Sequence, residues 1–169
     1  MISNKMAEAL NVQLNKEMYS AYLYMAMSAR CTSLGLKGFA NWFMVQYQEE
    51  MAHAMKFYDY IHSQGSRLNL MAIEQPPAEY DSPLAMFEKT LTHEQFVTKL
   101  IHNLVDLAIS EKDHATNAFL QWFVTEQIEE EENASDLVAK LKLVGDKADA
   151  LFMLDKELAT RLFTPPATA

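Results

Sequence analysis

Glu50 and His53 lie three residues apart within Gln48-Glu49-Glu50-Met51-Ala52-His53, a stretch whose flanks carry the apolar spacing of a helix. Side chains three apart on a helix share a face, so a carboxylate and an imidazole point the same way. Seven-residue series run through both groups: Phe43, Glu50 and Phe57, and Phe39, Gln46, His53 and Tyr60. Both therefore fall at core positions. A buried carboxylate is costly unless it is paired or binds a cation, so the pair asks for partners elsewhere in the chain. Hard oxygen donors with one imidazole suit Fe2+ or Mn2+ better than a metal that prefers thiolates, and Zn2+ would bind as well.

The partners follow from the same periodicity. Glu17 is seven residues from Leu10 and Tyr24, and Glu94 is seven from Phe87 and Ile101. Gln127 interrupts the series Leu120, Ala134, Leu141, and Glu130 interrupts Phe123, Leu137, Val144. Glu17 to Glu50 is 33 residues, as is Glu94 to Gln127, and a shift of 77 maps Glu17, Glu49, Glu50 and His53 onto Glu94, Glu126, Gln127 and Glu130. Two helical hairpins thus repeat one design. With turns centred near Gly35 and Lys112, a rise of ~1.5 Å per residue puts all these polar groups ~23–27 Å below the turns. Packing alone gives no reason for polar groups at one level on four helices. Two divalent cations would neutralise the four carboxylates, and Gln-x-x-Glu in place of a second Glu-x-x-His makes the two cation positions unequal.

The elements that must position these groups read as an all-α fold, a single domain over residues 1–169. A first helix runs from about Asn4 to Thr32 and a second from about Lys37 to Gln64, stopped by Gly65. Ser66 to Ser82, 17 residues rich in proline, is long for a compact domain. It reads as a crossover along the bundle that leaves helices two and three parallel. Ser82-Pro83 starts a third helix, Ser as N-cap and Pro at the first helical position, which runs to about Ser110. A fourth covers about His114 to Val144. The bundle spans about 4–144; Asp146 is expected to cap a short fifth helix over about 146–163, and 164–169 forms a tail. The fifth helix has no place in a four-helix core, so its apolar stripe should pack on the bundle end or on a neighbouring subunit.

Composition sets the outer limits. Half the residues are apolar, with 4 Gly and 5 Pro, which favours long helices. The net charge of −9 and the lack of a basic stripe argue against nucleic acid as a partner. No segment has the layout of a signal peptide or the ~20 apolar residues of a membrane span, so no membrane partner and a cytoplasmic location are expected. The single cysteine, Cys31, rules out an internal disulfide and a cysteine-built metal site.

The motif Glu17, Glu49-Glu50-x-x-His53, Glu94 and Glu126-Gln127-x-x-Glu130 closely resembles that of the bacterial, haem-free ferritins, within the ferritin-like bundles that hold two metal ions between their helices. The resemblance extends from Met1 to about Phe163. It implies a ferroxidase centre in which Glu17, Glu50 and His53 hold one iron and Glu50, Glu94 and Glu130 the other, with Glu50 bridging. Gln127 would stand beside the second iron, and Tyr24 would supply a proton or an electron. A third iron site would draw on Glu49, Glu126, Glu129 and Glu130. The implied reaction oxidises two Fe2+ with O2 or peroxide and stores ferric oxyhydroxide inside a 24-subunit shell, whose fourfold axes the fifth helix would line. Carboxylate-rich ligation suits this by stabilising Fe3+. Glu111, Asp113 and His114 are candidates for an entry pore.

Relatives within the family are distinguished by what this chain has or lacks. Gln127-x-x-Glu130 argues against the haem-binding type, so no haem is expected, and Met51 is read as core. The paired cysteines of a rubrerythrin are absent, and an intrachain ligand set is not needed by the DNA-protecting mini-ferritins. His62, His93, His102 and His114 have no ligand spacing and are read as surface or hydrogen-bonded. Glu131 and Glu132 read as solvated, and Trp42, Trp122 and the methionines as core. The competing readings are a shell subunit without a working centre and a di-iron oxygenase acting on an organic substrate.

Overall fold

A computed structural model describes residues 1–145 and 147–166, and contains five helices: α1 (Asn4–Ser33), α2 (Lys37–Ser63), α3 (Pro83–Ser110), α4 (His114–Val144) and α5 (Ala148–Leu158). Asp146, expected to cap the fifth helix, lies outside the described residues, as do 167–169 of the tail. Start signals act locally. The Ser3 and Ser82 hydroxyls accept from the backbone N–H of Met6 and Ala85, and the Asp113 carboxylate accepts from that of Thr116, each satisfying a donor that the first helical turn leaves open.

Two apolar clusters give the topology. One joins Leu23, Tyr24 and Met27 of α1 to Phe39 and Phe43 of α2, Met86 and Phe87 of α3, and Leu137 and Leu141 of α4. The other joins Leu10 and Leu14 to Phe57 and Ile61, Val97 and Ile101, and Leu120 and Phe123. The late part of α1 therefore meets the early parts of α2 and α3 and the late part of α4. So α1 and α4 run one way, α2 and α3 the other, and the connection between α2 and α3 crosses the length of the bundle. It is tied to α1 along the way: Asn11 Oδ1 accepts from Asn69 N at 2.8 Å, Asn15 Nδ2 donates to the Ala72 carbonyl at 3.2 Å, and Arg30 pairs with Glu79 at 2.8 Å. Between the clusters lies a band of buried polar side chains.

The fifth helix docks on the start of α2, which has no capping side chain of its own. Asp155 Oδ1 accepts from Gly38 N at 2.8 Å and Phe39 N at 3.0 Å, capping α2 from outside. The approach is so close that a Cβ at Gly38 would stand 1.6 Å from the Asp155 carbonyl oxygen. Leu154 and Leu158 bury in the first cluster, while Phe152 and Met153 stay exposed, so only one side of the stripe is covered within the chain. The helix ends at Leu158 and not near Phe163 as expected. Thr160 Oγ1 donates to the Glu157 carbonyl, and Asn41 Nδ2 takes the carbonyls of Leu158 and Arg161, turning the chain back along α2.

The methionines divide: Met6, Met27 and Met86 are buried, but Met25, Met44, Met55, Met71 and Met153 are exposed, so composition overstated their core role. Met51 and Trp122 are half-buried and Trp42 is buried. No helix among the described residues is long and apolar enough to cross a membrane.

Candidate metal centre

The polar band holds Glu17 from α1, Gln46, Glu50 and His53 from α2, Glu94 from α3, and Gln127 and Glu130 from α4, none more than 4% exposed. Each occupies a turn that would otherwise present an apolar side chain to the axis, so helix geometry aims all of them at one another. His53 Nδ1 lies 3.5 Å from Glu50 Oε2 and 3.9 Å from Glu17 Oε2, and its Nε2 lies 3.7 Å from Glu126 Oε1. These separations are too long for good hydrogen bonds. They suit donors to a shared ion, because ligand atoms about 2.1 Å from one cation stand about 3 Å or more from each other.

Among the described residues, two sets of donors converge closely enough to hold an ion: Glu17, Glu50 and His53, and His53, Glu126 and Glu130. The first is the ligand set that the family resemblance implies for one iron. The second takes in Glu126, which the resemblance placed at a third position, and leaves out Glu94. One oxygen of Glu94 accepts from the Tyr24 hydroxyl, and the other, Oε2, has no partner. Glu17 Oε2, both oxygens of Glu50 and His53 Nε2 are likewise buried without a hydrogen bond. Orphaned carboxylate oxygens at this depth cost free energy in the metal-free protein, and a divalent cation is the chemistry that relieves them.

The ionisation of the band reflects the same crowding. Burial, then the charges of Glu94 and Glu17, hold the Glu50 carboxyl well above its usual range despite the opposing His53. Burial and the charge of Glu130 push Glu94 up to about 8, and burial raises Glu130 against the pull of His53 and Gln46. For His53, burial lowers the imidazole, but Glu126, Glu50 and Glu17 together raise it well above normal. Tyr24, raised by burial and Glu94, keeps its proton and serves as a donor.

Several outer partners escaped the sequence reading. Gln13 Nε2 donates to Glu17 Oε1 at 2.7 Å and Gln46 Nε2 to Glu130 Oε2 at 2.8 Å. Gln46 was visible as a polar member of the His53 series, and Gln13 stands four residues before Glu17 on the same face. On the opposite flank Thr98 Oγ1 lies 3.0 Å from Gln127 Oε1 and 2.6 Å from Glu131 Oε1; its one proton serves one of them at a time. Glu131, read as solvated, is thus half-buried and bonded. Arg161, without any periodic signal, pairs with Glu49 at 2.8 Å. Glu49 therefore already has a cation, and burial still pushes it to about 7 against the pull of Arg161. Glu129 is exposed and belongs to neither donor set.

The other histidines take no part as ligands. His93 lies 2.8 Å from Ser20 Oγ and packs its ring against Tyr24 and Tyr19. Burial, then Lys89 and Lys16, lower it to about 4. His62 contacts the Tyr58 carbonyl, and His102 and His114 are exposed. Of the pore candidates, Glu111 accepts from Ser3 Oγ and Asp113 caps α4.

Fold and site together define a helical bundle with an intrachain cluster of carboxylates and one imidazole suited to a metal ion. The ferritin-like domain family matches residues 7–144. A bacterial non-heme ferritin of Staphylococcus aureus is 41% identical over 163 residues, covering 96% of this chain and 98% of that protein. One from Staphylococcus saprophyticus is 43% identical with the same coverage. Among solved structures, an Archaeoglobus fulgidus ferritin engineered into a closed form superposes with a TM-score of 0.96 at 57% identity, over 97% of this chain and all of that one. The open-pore ferritin of the same archaeon gives 0.95 at 56%, over 95% of this chain and 98% of that one. The chain belongs to the ferritin-like family, and family and neighbours alike support iron binding and iron storage as its role.

Proposed function

We propose that the chain is a ferroxidase subunit of an iron-storage shell. Two Fe2+ are its substrates: Glu17, Glu50 and His53 receive one, and Glu50, Glu94 and Glu130 the other, with Glu50 shared and Gln127 beside the second. Each iron gives up one electron. The pair reduces O2 to hydrogen peroxide with uptake of two protons, or hydrogen peroxide to two waters, and hydrolysis of the Fe3+ releases protons as oxyhydroxide forms. The chain's own work is electrostatic. Four carboxylates favour the more highly charged product, Gln13 and Gln46 hold Glu17 and Glu130 in place, and Tyr24 donates to Glu94.

The observation that carries this reading is the set of buried, unpartnered oxygens on Glu17, Glu50 and Glu94 beside His53, contributed by three helices at one level. Retention of every donor argues against a shell subunit without a working centre. The exposed Phe152, Met153 and Leu162 support self-association, which we propose gives a 24-subunit shell with Glu111, Asp113 and His114 near an entry pore. The relatives include both an open-pore ferritin and an engineered closed one, so sizing and pore geometry belong to the same test. Fe2+ is added anaerobically, O2 is admitted, and Fe3+ formation is followed beside light scattering of the assembly. Rapid oxidation by a large shell, slowed in His53→Ala and Glu130→Ala, is expected. A monomer with no oxidation, or oxidation indifferent to both variants, sinks it.

A further inference from the structure

Glu49 stands at the edge of the centre, and its cation comes from the chain itself. After α5 the backbone turns and is clamped to α2 by Asn41, whose Nδ2 donates to the carbonyls of Leu158 at 3.2 Å and Arg161 at 3.0 Å. Arg161 then lies along α2. Its Nη1 donates to the Trp42 carbonyl at 3.4 Å, its guanidinium carbon stands 4.7 Å from the centre of the Trp42 ring, and its Nη2 donates to Glu49 Oε2 at 2.8 Å. Both partners are largely buried, 22% and 19% exposed, so water screens the pair less than an ion pair on the surface.

A guanidinium and a metal ion are rival cations for one carboxylate. Arg161 cannot yield by losing its proton; it can only move away. The contact uses a single oxygen of Glu49 and not the two-pronged geometry that fixes an arginine most firmly, so the arrangement permits exchange.

We propose that Arg161 is a built-in counter-cation that holds Glu49 until a third metal ion arrives, and must leave before Glu49 can join Glu126 and Glu130 as a ligand. Filling of the third position is thereby coupled to displacement of the Arg161 side chain. By reciprocity, whatever holds that side chain on Glu49 weakens the third position by the same factor. This rests on the di-iron reading above.

The test is Zn2+ titration of the assembled, metal-free protein by calorimetry, which needs no turnover. The wild type is expected to show two tight steps and a weak third. Arg161→Gln should tighten the third step by about tenfold and leave the first two within about twofold. Adding Glu49→Gln to Arg161→Gln should abolish the gain. Arg161→Lys, which keeps the charge but loses the planar stack on Trp42, gives a smaller gain in the same direction and serves if Arg161→Gln does not assemble. A third step unchanged or weaker without Arg161, or a gain that survives Glu49→Gln, overturns the proposal while the first two steps leave the di-iron reading standing. Absence of the first two steps overturns both.

Discussion

The two helical hairpins repeat each other at a shift of 77 residues, yet they contribute unequally to the centre. The first supplies Glu17, Glu50 and His53, the one imidazole of the band among the described residues; the second supplies Glu94, Gln127 and Glu130. The inequality extends to the donors around them. Gln13 holds Glu17 within the first hairpin, but Tyr24 and Gln46 reach across to Glu94 and Glu130 of the second. At the corresponding positions the second hairpin has Thr90, Ile101 and Phe123; Thr90 donates to the Met27 sulfur and the Met86 carbonyl, so none of the three supports a carboxylate of the first. The first hairpin is thus a support for both proposed cation positions. A change in it should disturb both, and a change in the second only one.

The sharpest way to break this comparison is to remove counterparts. Glu50→Ala should lower Zn2+ affinity at both tight steps, by at least the ~10–100-fold that loss of even an outer partner costs. Gln127→Ala should cost less than about tenfold and at one step only. Equal losses would show the halves to be equivalent after all.

Metal removal gives the next effect. Glu50, Glu94 and Glu130 all have carboxyls raised by burial and mutual repulsion, Glu94 to about 8, and His53 is raised as well. The band of the folded, metal-free protein therefore binds more protons than the same groups in the unfolded chain above about pH 4.5, and its contribution to stability falls as pH rises from there through about 8, while His93, lowered to about 4, acts the other way in both metal-free and loaded protein. Bound cation removes this penalty and binds better as the carboxylates ionise. Melting temperatures of metal-free and Zn2+-loaded protein should diverge steadily between pH 5 and 8. Parallel curves would mean the band is not the seat of the strain.

A third comparison concerns α5, which seats on the first hairpin at Gly38. The counterpart in the second hairpin is Ala115, which is exposed. Gly38→Ala drives a Cβ into the Asp155 carbonyl and should destabilise by about 1–3 kcal/mol through displacement of α5, loosening Arg161 as well. Denaturant unfolding, with Ala115→Gly as the control, reads this directly.

Much of this asymmetry was legible before any coordinates. The heptad series marked Glu17, Glu50, His53, Glu94, Gln127 and Glu130 as polar groups at core positions, and helical geometry alone then places them together. The start of α3 was readable because Ser82-Pro83 is a local signal. What stayed hidden depends on contacts between elements distant in sequence. Glu126 joins a donor set with His53 only because α4 packs beside α2. Arg161 reaches Glu49 only because α5 docks and then stops at Leu158. The end of α5 was misjudged because its apolar spacing continues to Leu162, while the carbonyls that would extend it are drawn off by Asn41.

The smallest expected effect tests the reach of the first hairpin across the site. Tyr24 and its counterpart Ile101 are both fully buried, but only Tyr24 carries a hydroxyl, and that hydroxyl donates to Glu94. Tyr24→Phe keeps the ring that stacks on Phe43 and removes one hydrogen bond to a carboxylate, a loss of about 1.5–3 kcal/mol for the charged form. Because Tyr24 opposes the upward shift of Glu94, the variant should hold its proton on Glu94 to higher pH. Zn2+ binding at the second step should then weaken at pH 6 and recover by pH 9, while the first step, built on Glu17, Glu50 and His53, stays unchanged. Loss at both steps, or no pH-dependent recovery, would place Tyr24 in the packing of the bundle and not in the ligand field of the second position.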